Sequence, residues 1–202
     1  MPSPQSLPEP VGDTGVAKLA LRDQLLTARR RRPLAEVGQD ARAIADHLLV
    51  APEVRRAATV ACYVSVGTEP GTTALLDRLT SAGKRVILPV LLPGNDLDWA
   101  VYHGETSLAP AGRGLLEPMS ARLGADAVAT ADVVLVPGLA VSPTGQRLGR
   151  GGGSYDRALA RVPLGTFTCV LLYADETGVA VPTEPHDQPV TAAVTPHGIL
   201  RF

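Results

Sequence analysis

Apolar residues recur at helical spacing near the start of the chain, where Leu19, Leu21, Leu25, Leu26 and Ala28 fall between Val16 and Arg32 and Pro33 closes the segment. That pattern predicts one helix there and a second over Leu34 to Val50. The period then changes. Ala57 to Val64 is a nearly continuous apolar run of strand length, Thr72 to Ala82 returns to helical spacing, and Arg85 to Val90 is strand-like again after the stop at Gly83. Asp98 to Tyr102 predicts a short strand. His103 to Met119 carries enough glycine and proline to predict mostly irregular chain, with regular structure resuming at Val128 to Ala131. Asp132 to Val136 predicts a strand and Ser154 to Arg161 a helix. Thr166 to Tyr173 is apolar enough for the centre of a parallel sheet, with Val190 to Thr195 and Ile199 to Phe202 as edge candidates.

Strands that alternate with helices predict an α/β fold: a single-domain, open, mostly parallel sheet with helices on both faces, preceded by two N-terminal helices. Ligands of such sheets bind beyond the carboxyl ends of the strands. A length of 202 residues suits one domain. Residues 1–15 contain four prolines and no apolar run, so they are expected to form a disordered tail, leaving residues 16–202 as one α/β catalytic domain.

Composition changes this picture in two places. Only 3% of residues are aromatic, so the interior must be packed from Ala, Val, Leu and Ile, and an individual tyrosine such as Tyr155 draws notice. The charge balance of 19 basic against 20 acidic side chains provides no global field for nucleic acid or an anionic membrane, so any phosphate site must be local. The expected partners are small molecules, with no nucleic acid and no membrane, and a monomer is the default. Cys62 and Cys169 lie in apolar stretches without zinc or disulfide spacing and read as buried thiols of a reducing compartment. With no run of about 18 apolar residues, the expected location is cytoplasmic.

The most informative segment is Gly145 to Asp156, GQRLGRGGGSYD, where glycines and two arginines precede a helical stretch. Such a loop can turn backbone N–H groups around an anion, with Arg147 and Arg150 adding bidentate contacts and Ser154 as the expected N-cap. A Walker A loop requires a lysine that this segment lacks. Gly149, Gly151 and Ser154 imitate a dinucleotide fingerprint, with Asp175 near the position of a ribose ligand, but about ten residues separate the loop from the strand that should feed it directly. A glycine cluster alone is equally consistent with a tight turn.

Leu135 to Leu159, LVPGLAVSPTGQRLGRGGGSYDRAL, closely resembles the signature of the 5-formyltetrahydrofolate cyclo-ligase family. Further resemblance lies at Lys18 and Arg22, at Ser65 to Thr72, at Glu117-Pro118 and at Val181 to Asp187, in family order. The resemblance implies ATP as co-substrate, bound by Lys18, Arg22, Arg147, Leu148, Gly149, Arg150, Gly151, Gly152, Gly153, Ser154 and Tyr155. It implies folate contacts at Val64, Glu69 and Arg150 to Tyr155, and Mg²⁺ on Asp156 and Asp187. Without it, Lys18 and Arg22 would read as a solvated helix face, Asp156 and Glu69 as helix-dipole charges, and Asp187 as a turn residue. His186 reads as an exposed loop histidine, and Arg29 to Arg32 as a run capping the helix end in solvent. Two departures from the family pattern are Ser154, where many relatives carry a ring, and Thr191, where many carry an acid.

The reaction implied is phosphoryl transfer from ATP to the formyl oxygen on N5, followed by attack of N10 and loss of phosphate. It demands positioning and charge neutralisation rather than a protein nucleophile. The rivals are a non-catalytic folate- and ATP-binding protein and another nucleotide-dependent enzyme on the same scaffold.

Overall fold

A computed structural model describes residues 12–202 of the chain. The helices are α1 (Gly12–Arg30), α2 (Leu34–Val50), α3 (Pro52–Arg56), α4 (Thr73–Ser81) and α5 (Ser154–Leu159). The strands are β1 (Thr59–Ala61), β2 (Arg85–Leu91), β3 (Leu97–Val101), β4 (Leu108–Pro110), β5 (Leu116–Pro118), β6 (Val133–Pro137), β7 (Ala140–Val141), β8 (Arg147–Leu148), β9 (Phe167–Leu171), β10 (Ala192–Thr195) and β11 (Gly198–Arg201). Of the tail expected over residues 1–15, residues 1–11 lie outside the described residues, and from Gly12 the chain is already helical.

Seven strands form one sheet in the order β11-β10-β9-β6-β1-β2-β3. Its five central strands run parallel, and β3 and β11 close the two edges antiparallel. The parallel strands are apolar on both sides because helices cover both faces. Along β6 and β9 alternate residues go to opposite layers: Leu135, Cys169 and Leu171 meet α2, α3 and α4, while Val134, Val136 and Val170 meet α5, Val128 and Trp99. Ile44 and Leu48 of α2 are fully buried in the first layer. Each contributes about 1.5–3 kcal/mol through apolar burial. Among the described residues no helix is long and apolar enough to cross a membrane.

Two parts of the fold differ from the sequence expectation. Residues 103–119 are not wholly irregular, since β4 and β5 form an antiparallel hairpin. A second hairpin, β7–β8, occupies the stretch between β6 and the glycine-rich segment. It accounts for the ten-residue offset that argued against a dinucleotide loop, because the glycines follow a hairpin strand and not a central one. Leu139, Ala140 and Leu148 of this hairpin region pack against Leu21, Leu25 and Leu26. The helix α1 therefore docks on the hairpin, beside the glycine segment.

Candidate active site

A cavity of about 930 Å³ opens at the carboxyl ends of β1, β2 and β6. One wall is cationic and glycine-rich, made by α1 and the Gly149–Gly153 loop; another is apolar, with Pro89, Leu91, Leu97, Leu115 and Leu116 from β2, β3 and β5 and its approach. The residues for which the resemblance implies ATP, folate or Mg²⁺ contacts all line it: Lys18, Arg22, Val64, Glu69, Arg147, Leu148, the loop through Tyr155, Asp156 and Asp187.

The loop presents donors. Among the described residues, the backbone N–H groups of Gly149 to Gly153 have no hydrogen-bond acceptor. Gly151 holds φ at 98°, a left-handed conformation that favours glycine, and a Cβ there would lie 3.3 Å from the Arg22 guanidinium. The Arg22 Nε donates to the Gly149 carbonyl at 2.9 Å, which ties α1 to the loop. Arg147, buried, donates to Asp156 at 2.8 Å and to the Pro137 carbonyl at 3.2 Å. Ser154 is not the helix cap; that position belongs to Gly153, and Ser154 begins the six-residue α5. The Tyr155 ring is half-buried between both core layers, and burial, with the Glu69 charge adding, pushes its phenol well up.

Lys18 is buried and reaches Glu184 and Asp187, each at 2.6 Å. Burial works against both charged forms, but the contact outweighs it, so the Lys18 ammonium is held above and the Asp187 carboxyl below their ordinary ranges. An ammonium has three donors, so one remains for a ligand oxygen. Asp187 also accepts from the Glu184 N–H at 2.7 Å, and Asp156 from the Gln188 N–H at 3.4 Å, which brings the two aspartates onto adjoining backbone. Glu184, His186 and Asp187 place one donor atom each within 4.8 Å of one another, the only such acidic or histidine group among the described residues. Asp156 Oδ2 and Asp187 Oδ1 accept no hydrogen bond among the described residues. These are hard oxygen donors of the kind Mg²⁺ takes.

Glu69 is not a first-turn helix charge. It is buried, accepts the Val66 N–H at 2.8 Å and faces Arg150 at 3.2 Å. Burial pushes its carboxyl up, and those two donors offset part of the effect.

The 5-formyltetrahydrofolate cyclo-ligase family matches residues 14–196. The chain belongs to that family. It is 41% identical over 187 residues to a 5-formyltetrahydrofolate cyclo-ligase of Mycolicibacterium smegmatis, covering 89% of this chain and 94% of the relative. It is 35% identical to the Escherichia coli K12 protein of that name over 188 residues, covering 86% and 98%. The NMR structure of Aquifex aeolicus 5,10-methenyltetrahydrofolate synthetase has a TM-score of 0.78 and 28% identity, covering 91% of this chain and 92% of that one. These similarities agree with the mostly parallel seven-stranded sheet described above.

Several cavity residues escaped the sequence reading. Glu184 sits 166 positions from Lys18, so no local pattern could pair them. Arg157, one turn into α5, donates to the carbonyls of Gly94, Asn95 and Gly152 and braces the loop against the β2–β3 turn. Arg29 and Arg32 correct an expectation, since neither is a solvated cap. Arg29 is fully buried, forms two 2.7 Å bonds to Glu176 and donates to the Gly138 carbonyl at 2.7 Å. Arg32 stacks 4.0 Å from the Tyr173 ring centroid and pairs with Asp175. His186 is exposed, as expected. Thr191 exchanges hydrogen bonds with Thr168, clasping the starts of β9 and β10. A hydroxyl, acting as both donor and acceptor, serves that contact better than an acid could.

Proposed function

We propose that this chain cyclises 5-formyltetrahydrofolate to 5,10-methenyltetrahydrofolate, using ATP and releasing ADP and phosphate. The observation that carries the reading is the run of five N–H groups at Gly149–Gly153 that have no acceptor among the described residues, set between Arg22, Arg147 and Arg150 in a cavity whose other wall is apolar. A polyphosphate suits the first wall and a pterin with its benzoyl ring the second. Family membership supplies the match between these two ligands and one reaction.

In this reading the loop N–H groups, the third Lys18 donor and the free guanidinium nitrogens of Arg22 hold the phosphates. Arg147 keeps Asp156 oriented, and Glu69 accepts from the N–H groups of the pterin. Asp156 and Asp187 would hold Mg²⁺, which when bound neutralises phosphate charge. With the γ-phosphate in line, the formyl oxygen attacks phosphorus and ADP leaves; N10 then bonds to the activated carbon, loses its proton, and phosphate departs. The protein orients the groups and excludes water, and no side chain need form a covalent bond.

The test follows the near-ultraviolet absorbance of the methenyl product with 5-formyltetrahydrofolate, ATP and Mg²⁺. Product should require ATP and fall at least a hundredfold in Asp156→Ala, the scale of losing an electrostatic contact to the transferring group. Binding of both ligands without turnover by the unaltered protein would leave the non-catalytic reading standing.

A further inference from the structure

Six lysine and arginine side chains line the cavity. Three meet carboxylates: Lys18 meets Glu184 and Asp187, Arg147 meets Asp156, and Arg150 meets Glu69. Arg22 is tied to the glycine loop. Arg113 and Arg157, both exposed, have no carboxylate partner among the described residues, and both converge on Asn95. Arg113 Nη1 donates to the Asn95 side-chain oxygen at 2.9 Å and Arg157 Nη2 to its main-chain carbonyl at 3.0 Å, which sets two positive charges across a single residue from each other. The chain holds this arrangement against backbone preference. Asn95 and Arg113 are the two non-glycine residues with positive φ among the described residues, at 63° and 61°. Asparagine adopts that conformation readily. Arginine does not, although Gly112 and Gly114 flank it and a third glycine would be free of strain. A strained arginine beside a second uncompensated one points to a use for its charge, and an anion would relieve the repulsion between them.

We propose that Arg113, backed by Arg157, binds the glutamate carboxylates of the folate, which makes the charged tail part of what the cavity recognises. This rests on the proposed function. Arg113 lies on the β4–β5 connection two residues before Leu115, beside the apolar wall that suits the benzoyl ring, and the glutamate follows that ring along the folate. Glu69, assigned to the pterin, is buried and Arg113 is exposed, so a folate lying along the wall enters head first and keeps its tail at the solvent side. Glu117, the acid of that wall, directs one carboxylate oxygen to the Leu91 N–H at 2.9 Å. The phosphates have their own donors across the cavity, in α1 and Gly149–Gly153.

Arg113→Asn removes the charge and leaves a residue that tolerates the left-handed backbone. The KM for 5-formyltetrahydrofolate and the Kd for that folate without ATP should each rise about fivefold, the upper size of an exposed ion pair, while kcat and the KM for ATP stay fixed. The diamide of the same folate, with both glutamate carboxyls neutral, should bind Arg113→Asn and the unaltered protein within about twofold of each other, because the contact is absent from both complexes. An unchanged Kd for the folate, or a loss shared equally by folate and diamide, would overturn the proposal. So would a rise in the KM for ATP, since the anion would then be a phosphate. If the unaltered protein binds the folate without turning it over, the catalytic reading fails while the two Kd comparisons still decide the role of Arg113.

Discussion

The buried Arg29–Glu176 pair offers the sharpest test of the fold's energetics. Arg29 is 0% and Glu176 2% exposed at the side chain, and the two bonds between them are 2.7 Å. The Glu176 carboxylate also accepts the Tyr173 N–H at 2.9 Å. Guanidinium cannot shed its proton, so Glu176→Leu leaves a full positive charge in the interior and should cost about 3–5 kcal/mol. Pairing that change with Arg29→Met replaces two charges by apolar groups of similar volume. The double variant should therefore be more stable than the sum of the single losses by at least about 2 kcal/mol. The chain's one tryptophan, Trp99, is buried in the second core layer, so urea unfolding can be followed by its fluorescence. Additivity within about 0.5 kcal/mol, the value for independent sites, would refute the argument.

Two glycines should separate stability from binding. Gly145→Ala puts a Cβ 2.4 Å from the Val190 carbonyl oxygen at a φ of 81°, a clash with backbone that should cost several kcal/mol in thermal or urea unfolding. Gly151→Ala meets only the flexible Arg22 head, so it should cost about 1–2 kcal/mol of strain while raising the KM for ATP. Outside the cavity, the Thr59 and Ala58 N–H groups hold Asp132 below the usual carboxylate range, and Arg201 does the same for Glu53. Their stabilisation is complete above the unfolded-state values near pH 4 and is lost as pH falls through the lower folded values. The urea midpoint should therefore drop below about pH 4, and less steeply in Asp132→Ala, which a shared acid limb would contradict.

The parts of the fold that local pattern fixes were legible. Helix α2 begins after Pro33 and ends before Ala51-Pro52, so both boundaries follow from proline's constraints. The strand expected over Ala57 to Val64 shrinks to β1 because the chain leaves the ladder after Cys62 to build the cavity wall. Apolar character there reflects burial and not pairing. The β7–β8 hairpin pairs only two residues a side, too few for alternation to register, although the Pro143–Gly145 turn marks its bend. At the cavity, the glycines and arginines marked out the loop that lines it. Arg29 was misread because a run of four arginines at a helix end resembles a solvated face, and only the distant Glu176 draws one of them inward.

The contact of Lys18 with Glu184 and Asp187 spans 166 and 169 residues. At a synthesis rate of roughly 5–20 residues per second, the lysine leaves the ribosome roughly ten to thirty seconds before its partners exist. A nascent chain can hold α1 and the glycine loop, yet its ligand chamber lacks a wall until translation is almost finished. Everything from Glu184 onward also contains β10 and β11, so a chain stopped short there forfeits sheet and chamber at once. Completion of synthesis is thereby the step that closes the chamber.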